Sequence, residues 1–252
     1  MKKTRFLSII MSLVLACGLL SACATTTNTQ APSSAVSAPT SETEQSDDAF
    51  LSQITGTYDE LFTVLTQEKY DDLWVEACGK YGPKEDAAAN AELLKATYTG
   101  TLYGQDAVDE YTAHPERTAF DCYFVKGVNQ ITISGNTISG TDKDGKEVFS
   151  HSYENLGDTL KEGFTVYQSE DKNSDDFSYF AFAPDTPETS SHIEFQYGKN
   201  LDDIANFMEG ENAYWLAAGI LTGSSDEVAQ KGIDLFCSSK LPELLGDGTG
   251  TE

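Results

Sequence analysis

Apolar positions fall into three regimes along the chain. Phe6 to Leu20 is a near-continuous apolar run, residues 24–49 have no apolar period, and from about residue 50 onward the pattern is periodic. Tyr58, Leu61, Phe62 and Leu65 recur at helical spacing and predict an amphipathic helix over 57–67. Leu73 and Trp74 extend the helical region until Gly82-Pro83 breaks it. Asp86 to Tyr98 is Ala-rich, carries Leu93 and Leu94, and predicts a second helix. Beyond Thr99 the period drops to two. Phe120, Cys122 and Phe124 alternate, as do Ile131 and Ile133, with turn signals at Gly135-Asn136 and Asp144-Gly145. Further strands are predicted over Val148–Tyr153, Phe164–Gln168, Phe177–Ala183 and Ser190–Tyr197. Ser224-Ser225-Asp226-Glu227 has helix-capping chemistry and opens a last helix through Phe236. Helices, then a meander of about six strands, then a helix make an α+β chain that is mainly β, with an antiparallel sheet whose short strands favour closure into a barrel.

Charge narrows the function. Asp+Glu number 41 against 16 Lys+Arg, for a formal net charge of −25. Nucleic-acid binding is excluded, because phosphates need clustered Lys and Arg. The acidity itself serves solubility through self-repulsion. With 39% hydrophobic and 11% aromatic residues the chain can build a packed core. A polytopic membrane protein is excluded, since the one long apolar stretch is terminal and short.

Lys2, Lys3 and Arg5 precede that stretch, which closes on Leu20-Ser21-Ala22-Cys23. This is the charged and apolar pattern of an export signal, and its ending resembles a bacterial lipobox. The resemblance implies removal of residues 1–22, diacylglyceryl attachment at Cys23, and a membrane-anchored protein facing outside the cytoplasm. Losing three cations would move the net charge from −25 to −28. Residues 23–49 are rich in Ser, Thr, Ala and Pro and read as a disordered tether, spanning roughly 25–30 Å root mean square. Residues 50–242 form one domain by length, and 243–252 read as a flexible tail. Setting aside Cys17 and Cys23 leaves Cys78, Cys122 and Cys237. Their odd number allows at most one disulfide, and no C-x-x-C suggests a thiolate zinc site. They read equally as one pair plus a thiol or as three small buried hydrophobes.

No Gly-x-Ser-x-Gly, His-Glu-x-x-His or phosphate-cradling Gly loop is present, and no nucleophile–base pair is visible, so binding is expected rather than catalysis. The informative stretch is Phe177-Ser-Tyr-Phe-Ala-Phe-Ala-Pro184, the polar loop Asp185–Thr189, then Ser190-Ser-His-Ile-Glu-Phe-Gln-Tyr-Gly198. Alternation puts His192, Glu194 and Gln196 on one face of a strand and Ile193, Phe195 and Tyr197 on the other. An imidazole and a carboxylate two residues apart can reach the same divalent ion, and both suit zinc.

These residues resemble the ZinT (YodA) family of exported zinc-binding domains. The resemblance is strongest over 177–220 and weaker over 54–65, 93–101 and 120–145, with about 20 residues inserted around Gly104–Arg117. Leu201–Met208 and Ala213-Tyr214-Trp215 are similar to the family's closing helix and aromatic turn. The resemblance implies a lipocalin-like (calycin-like) antiparallel barrel with flanking helices. It also implies zinc capture or delivery in zinc homeostasis, with a zinc-uptake transporter component as partner. The family's zinc is held by three His. The first falls on Phe180, which cannot bind metal; the second falls on His192; the third falls on Glu194, a harder ligand. Asp185 and Glu188 in the loop, or His151 on another strand, are additional candidate ligands, and oxygen-rich ligation would favour a divalent cation harder than zinc. The alternative is a lipocalin-like small-ligand module in which Phe180 and Phe182 line an apolar site in place of the lost zinc site. His114, before Pro115, reads as a turn residue, Asp142-Lys-Asp144-Gly145 as a hairpin, and Trp74 and Trp215 as core.

Overall fold

The computed structural model describes residues 48–100, 102–114, 123–157, 160, 163–209 and 216–246. The export signal, Cys17, Cys23, nearly all of the tether, Cys122, Tyr214, Trp215 and residues 247–252 lie outside these. Among the described residues no helix is long and apolar enough to cross a membrane.

Eight strands make the centre of the fold: β1 (Gly56–Glu60), β2 (Gln130–Ser134), β3 (Thr137–Thr141), β4 (Glu147–Gly157), β5 (Thr165–Ser169), β6 (Tyr179–Phe182), β7 (Ile193–Gly198) and β8 (Ala217–Leu221). Each pairs antiparallel with the next, and β8 returns to β1 through Tyr58↔Leu221 and Glu60↔Gly219, so the sheet is a closed barrel. The antiparallel barrel and its flanking helices agree with the fold expected from the sequence. Alternation sets the inner face: Tyr58, Ile131, Ile133, Ile138, Phe149, Tyr153, Tyr167, Phe180, Phe182, Ile193, Phe195 and Tyr197 bury into one cluster. The Gly135-Asn136 signal is a two-residue hairpin between β2 and β3, and Gly135 supplies its φ of +58°. At Gly140 the Phe149 ring lies against the bare Cα, where a Cβ would collide with it.

Three elements differ from the sequence reading, the first two because the barrel closes. Residues 56–60 are a strand, and only Leu61–Leu65 (here α2) is helical. Pairing with β2 on one side and β8 on the other outweighs the helical spacing of Tyr58, Leu61 and Phe62. Strand β8 was not expected, because Ala217-Ala-Gly-Ile220 is buried on both faces and shows no alternation. Tyr123 and Phe124 sit in the approach to β2 and are not a strand.

The remaining helices are α1 (Ala49–Gln53), α3 (Asp71–Tyr81), α4 (Ala87–Thr99), α5 (Gln105–Ala113), α6 (Leu201–Glu209) and α7 (Asp226–Leu245). The predicted helices over 73–81 and 86–98 correspond to α3 and α4. Helix α5 occupies the insertion around Gly104–Arg117, and α7 runs three residues past 242. A second core joins Phe62, Trp74, Leu94, Ile233 and Leu241 to the outward Ala218 and Ile220 of β8, so these helices pack on one side of the barrel. Trp74 is fully buried there, as expected, and its Nε1 donates to the Leu65 carbonyl (2.8 Å). A third cluster puts Ile204 of α6 against Val166, Ala181 and Ala183, on the outer face of β5 and β6.

Helix α1 seals one end of the barrel. Leu51 and Ile54 enter the barrel core, and the Phe50 ring lies 6.0 Å from that of Phe182. Asp48 fixes it in place: its carboxylate accepts from the Phe50 and Leu51 N–H groups (both 2.9 Å), from Tyr167 Oη (2.6 Å) and from Asn155 Nδ2 (2.6 Å). This is the end at which β6 turns into β7.

Candidate metal centre

The turn between β6 and β7 determines where His192 points. Thr186 and Thr189 bond to each other through side chain and backbone, and the Ser190 N–H donates to the Thr186 carbonyl (3.0 Å). Ser191 then takes a left-handed φ of +69°, a conformation L-residues seldom adopt. The reversal brings the Ser190 carbonyl to His192 Nδ1 at 2.8 Å. A carbonyl only accepts, so Nδ1 carries the proton and the tautomer is fixed. The other nitrogen, Nε2, faces Glu194 Oε1 at 3.2 Å.

In neutral His192 this geometry aims a nitrogen lone pair at a carboxylate oxygen. Two electron-rich atoms held face to face call for a cation between or beside them, either a proton or a metal ion. Burial pulls the His192 pKa down, but the hydrogen bond and charge of Glu194, the Ser190 carbonyl and the Asp185 charge outweigh it, and the net shift is upward. His192 is 9% exposed while the Glu194 side chain is 34% exposed, so the imidazole is held in the wall and the carboxylate opens to solvent.

The donors fit a zinc-like ion in type and spacing. Bonds of ~2.0–2.2 Å to one nitrogen and one oxygen that lie 3.2 Å apart subtend about 100°, near the tetrahedral value. An Nδ1–H anchored on a carbonyl is also the usual orienting contact of a metal-binding His. The number of donors is small. Among the described residues no group of three or more His, Cys, Asp or Glu side chains is placed to hold an ion.

The other sequence candidates separate. Asp185 lies close enough for its charge to act on His192, whereas Glu188 is exposed in the turn. His151 lies on β4, on the face shared with Phe149 and Tyr153, and its Nδ1 pairs with Asp171 at 2.8 Å in the β5–β6 connection. That connection is at the opposite end of the strands, so His151 does not join His192. His114 pairs with Glu110 at the end of α5 (3.7 Å). The Asp142–Lys146 turn is a hairpin in which Asp142 Oδ1 accepts from the Asp144 and Lys146 N–H groups.

Phe180 faces the other way. It pairs with Tyr197 and Phe182 with Phe195, so both phenylalanines point inward, while Glu194 sits beside the outward Ala183, whose N–H it receives at its carbonyl (2.9 Å). The position expected for the family's first His is thus on the opposite face of the sheet from His192 and Glu194. Phe180 is fully buried among Phe149, Tyr153, Phe182, Phe195 and Tyr197, with ring centroids 5.1–5.9 Å away. It forms part of a packed core and lines no mouth, which removes the main support for the small-ligand alternative.

Two features escaped the sequence reading, one at this site and one at the opposite end of the barrel. The Ser190 carbonyl and the Ser191 turn orient the imidazole, and neither has a signature beyond Ser-Ser before His. Glu60 is a buried acid at the β1–α2 junction that accepts from the Phe124 N–H and from Thr63 Oγ1 (3.1 Å). Burial pushes its pKa up to about 8, against the downward pull of those bonds.

Neither a protein-family model nor a curated protein matches the chain. Among solved structures, the Zn(II)-bound AdcA of Streptococcus pneumoniae is similar at 20% identity and a TM-score of 0.41, over 73% of this chain and 35% of that one, so the chain spans about a third of AdcA. The barrel with its flanking helices is likewise similar to the Zn(II)-bound ZinT-like domain of Streptococcus pneumoniae AdcA, at 19% identity and a TM-score of 0.43, over 76% of this chain and 93% of that domain.

Proposed function

We propose that this protein is an exported, lipid-anchored barrel that binds zinc or a related divalent ion, at low coordination number, for capture and delivery. The observation that carries the reading is His192 Nε2 facing Glu194 Oε1 at 3.2 Å while Nδ1 is held by the Ser190 carbonyl. The residue pattern Ser190-Ser191-His192, which resembles the ZinT family, supports zinc as the cargo. Two protein ligands leave the remaining positions to water and to Asp185, whose charge also acts on the imidazole. Such a site binds more weakly than a closed three- or four-ligand site and releases its ion readily, which suits transfer to an uptake component. Export and anchoring rest on residues 1–23 and the Cys23 sulfur, and the tether would hold the barrel off the membrane.

Calorimetric titration of the chain with zinc tests the reading. One ion per chain is expected, with affinity lowered at least tenfold in His192→Ala and lowered in Glu194→Gln. Absence of zinc heat, or equal affinity in His192→Ala, removes this pair as the site.

A further inference from the structure

Cys78 and Cys237 lie 159 residues apart in sequence, yet their Sγ atoms meet at 3.8 Å. Both residues have no solvent exposure, and both belong to the core that joins α3 to α7. Their neighbours in that core are apolar side chains such as Trp74, Ile233 and Leu241, and no other cysteine takes part among the described residues. We infer that Cys78 and Cys237 close into a disulfide that fastens α3 to α7 on the flank of the barrel. This goes beyond the metal reading and does not depend on it.

The surroundings assign the two sulfurs different parts. The two thiols share a hydrogen bond, and with the ammonium of Lys95 acting on Cys78 this outweighs burial and holds the Cys78 pKa below that of an ordinary thiol. Lys95 is itself held by Glu92 (2.6 Å) and Asp71 (3.5 Å). Cys237 is pushed upward by its contact with Cys78, by burial and by Asp234. Lys95 is tied to α3 through Asp71 and so acts on Cys78 whether or not α7 is docked, which makes Cys78 the attacking thiolate and Cys237 the resolving thiol. The oxidant is a disulfide, either a small-molecule one or that of an oxidoreductase. Cys78 attacks it and expels one of its sulfurs as a thiolate. Cys237 then loses its proton, attacks the Cys78 sulfur of the mixed disulfide and expels the second. The two protein thiols lose two electrons and two protons, and the oxidant becomes two thiols. Because both sulfurs are fully buried, the exchange takes place before α7 docks on α3 or while it is transiently released.

The test uses the full chain, in which Cys17, Cys23 and Cys122 compete for pairing. Reduced protein is incubated in a glutathione redox buffer, quenched in acid, alkylated and mapped by mass spectrometry. The expected product is a Cys78–Cys237 linked peptide, two hydrogens lighter than the separate thiols and at least tenfold more abundant than any other cysteine pair. Dithiothreitol should then lower the melting temperature of the wild type and of Cys122→Ser, but not of Cys237→Ser. Alkylation of both thiols, or preferential pairing of either with Cys17, Cys23 or Cys122, overturns the inference. If Cys237→Ser does not fold, the wild-type map decides.

Discussion

Replacing Glu60 by Gln should change the slope of stability with pH more than stability itself at mild acidity. The carboxyl is 2% exposed, and burial raises its pKa from 4.5 to about 8. Between those values the unfolded chain has released this proton and the folded chain has kept it, so stability falls as pH rises, by ~1.4 kcal/mol per unit. The contribution of the neutral acid is complete below pH 4.5 and is lost as pH approaches about 8. Glutamine matches the neutral acid in shape. Its amide oxygen can accept from the Phe124 N–H, and its amide nitrogen can donate to Thr63, whose hydroxyl now accepts. Glu60→Gln should therefore be within about 1 kcal/mol of wild type at pH 5. It should be more stable by about 3 kcal/mol at pH 7, and by still more at pH 8. Urea denaturation at pH 5, 6, 7 and 8 measures the difference directly, provided the m-values agree. A difference that stays constant across these pH values, or a variant clearly less stable than wild type at pH 8, refutes the assignment of Glu60 as a buried neutral acid.

Other consequences concern the site and the barrel end. Zinc affinity should fall about tenfold per pH unit below the His192 pKa, which lies above 6.5, and Glu194→Gln should lower that pKa in an NMR titration. Phe180→His should not improve zinc binding, since the new imidazole points into the core, and should cost about 2–4 kcal/mol in denaturant melts. Asp48→Ala removes two cap bonds and the Tyr167 and Asn155 contacts. It should cost about 1–3 kcal/mol and speed hydrogen exchange in α1, at the end of β2 and at the start of β5 more than in α7.

Much of the architecture is legible in local pattern because two-residue alternation and turn chemistry act locally. Ile131 and Ile133, the Gly135-Asn136 hairpin, Phe180 and Phe182, and Ile193 through Tyr197 announce strands whose alternate side chains fill the barrel core. The misread elements are those whose state depends on distant partners. Tyr58 lies in a strand because β2 and β8 bracket it, and no local signal carries that information. Strand β8 faces the barrel core on one side and the helical layer on the other, so its apolar run has no period to read. At the candidate site, the sequence placed His192 and Glu194 on one face, and the structure brings their side chains into contact. It did not show that Phe180 occupies the opposite face, because that follows from the register of β6 on β7 and not from spacing along either strand. Nor did it show which cysteines meet, since the contact between Cys78 and Cys237 arises only when α3 packs on α7.

The central claim is that one divalent ion sits between the imidazole of His192 and the carboxylate of Glu194. Crystals of the chain grown with zinc, with diffraction recorded on both sides of the zinc absorption edge, test it most directly. The account predicts one anomalous peak on the outer face of β7, within ~2.0–2.2 Å of His192 Nε2 and of a Glu194 oxygen. A peak elsewhere with none at this pair, or no peak at all, would contradict it.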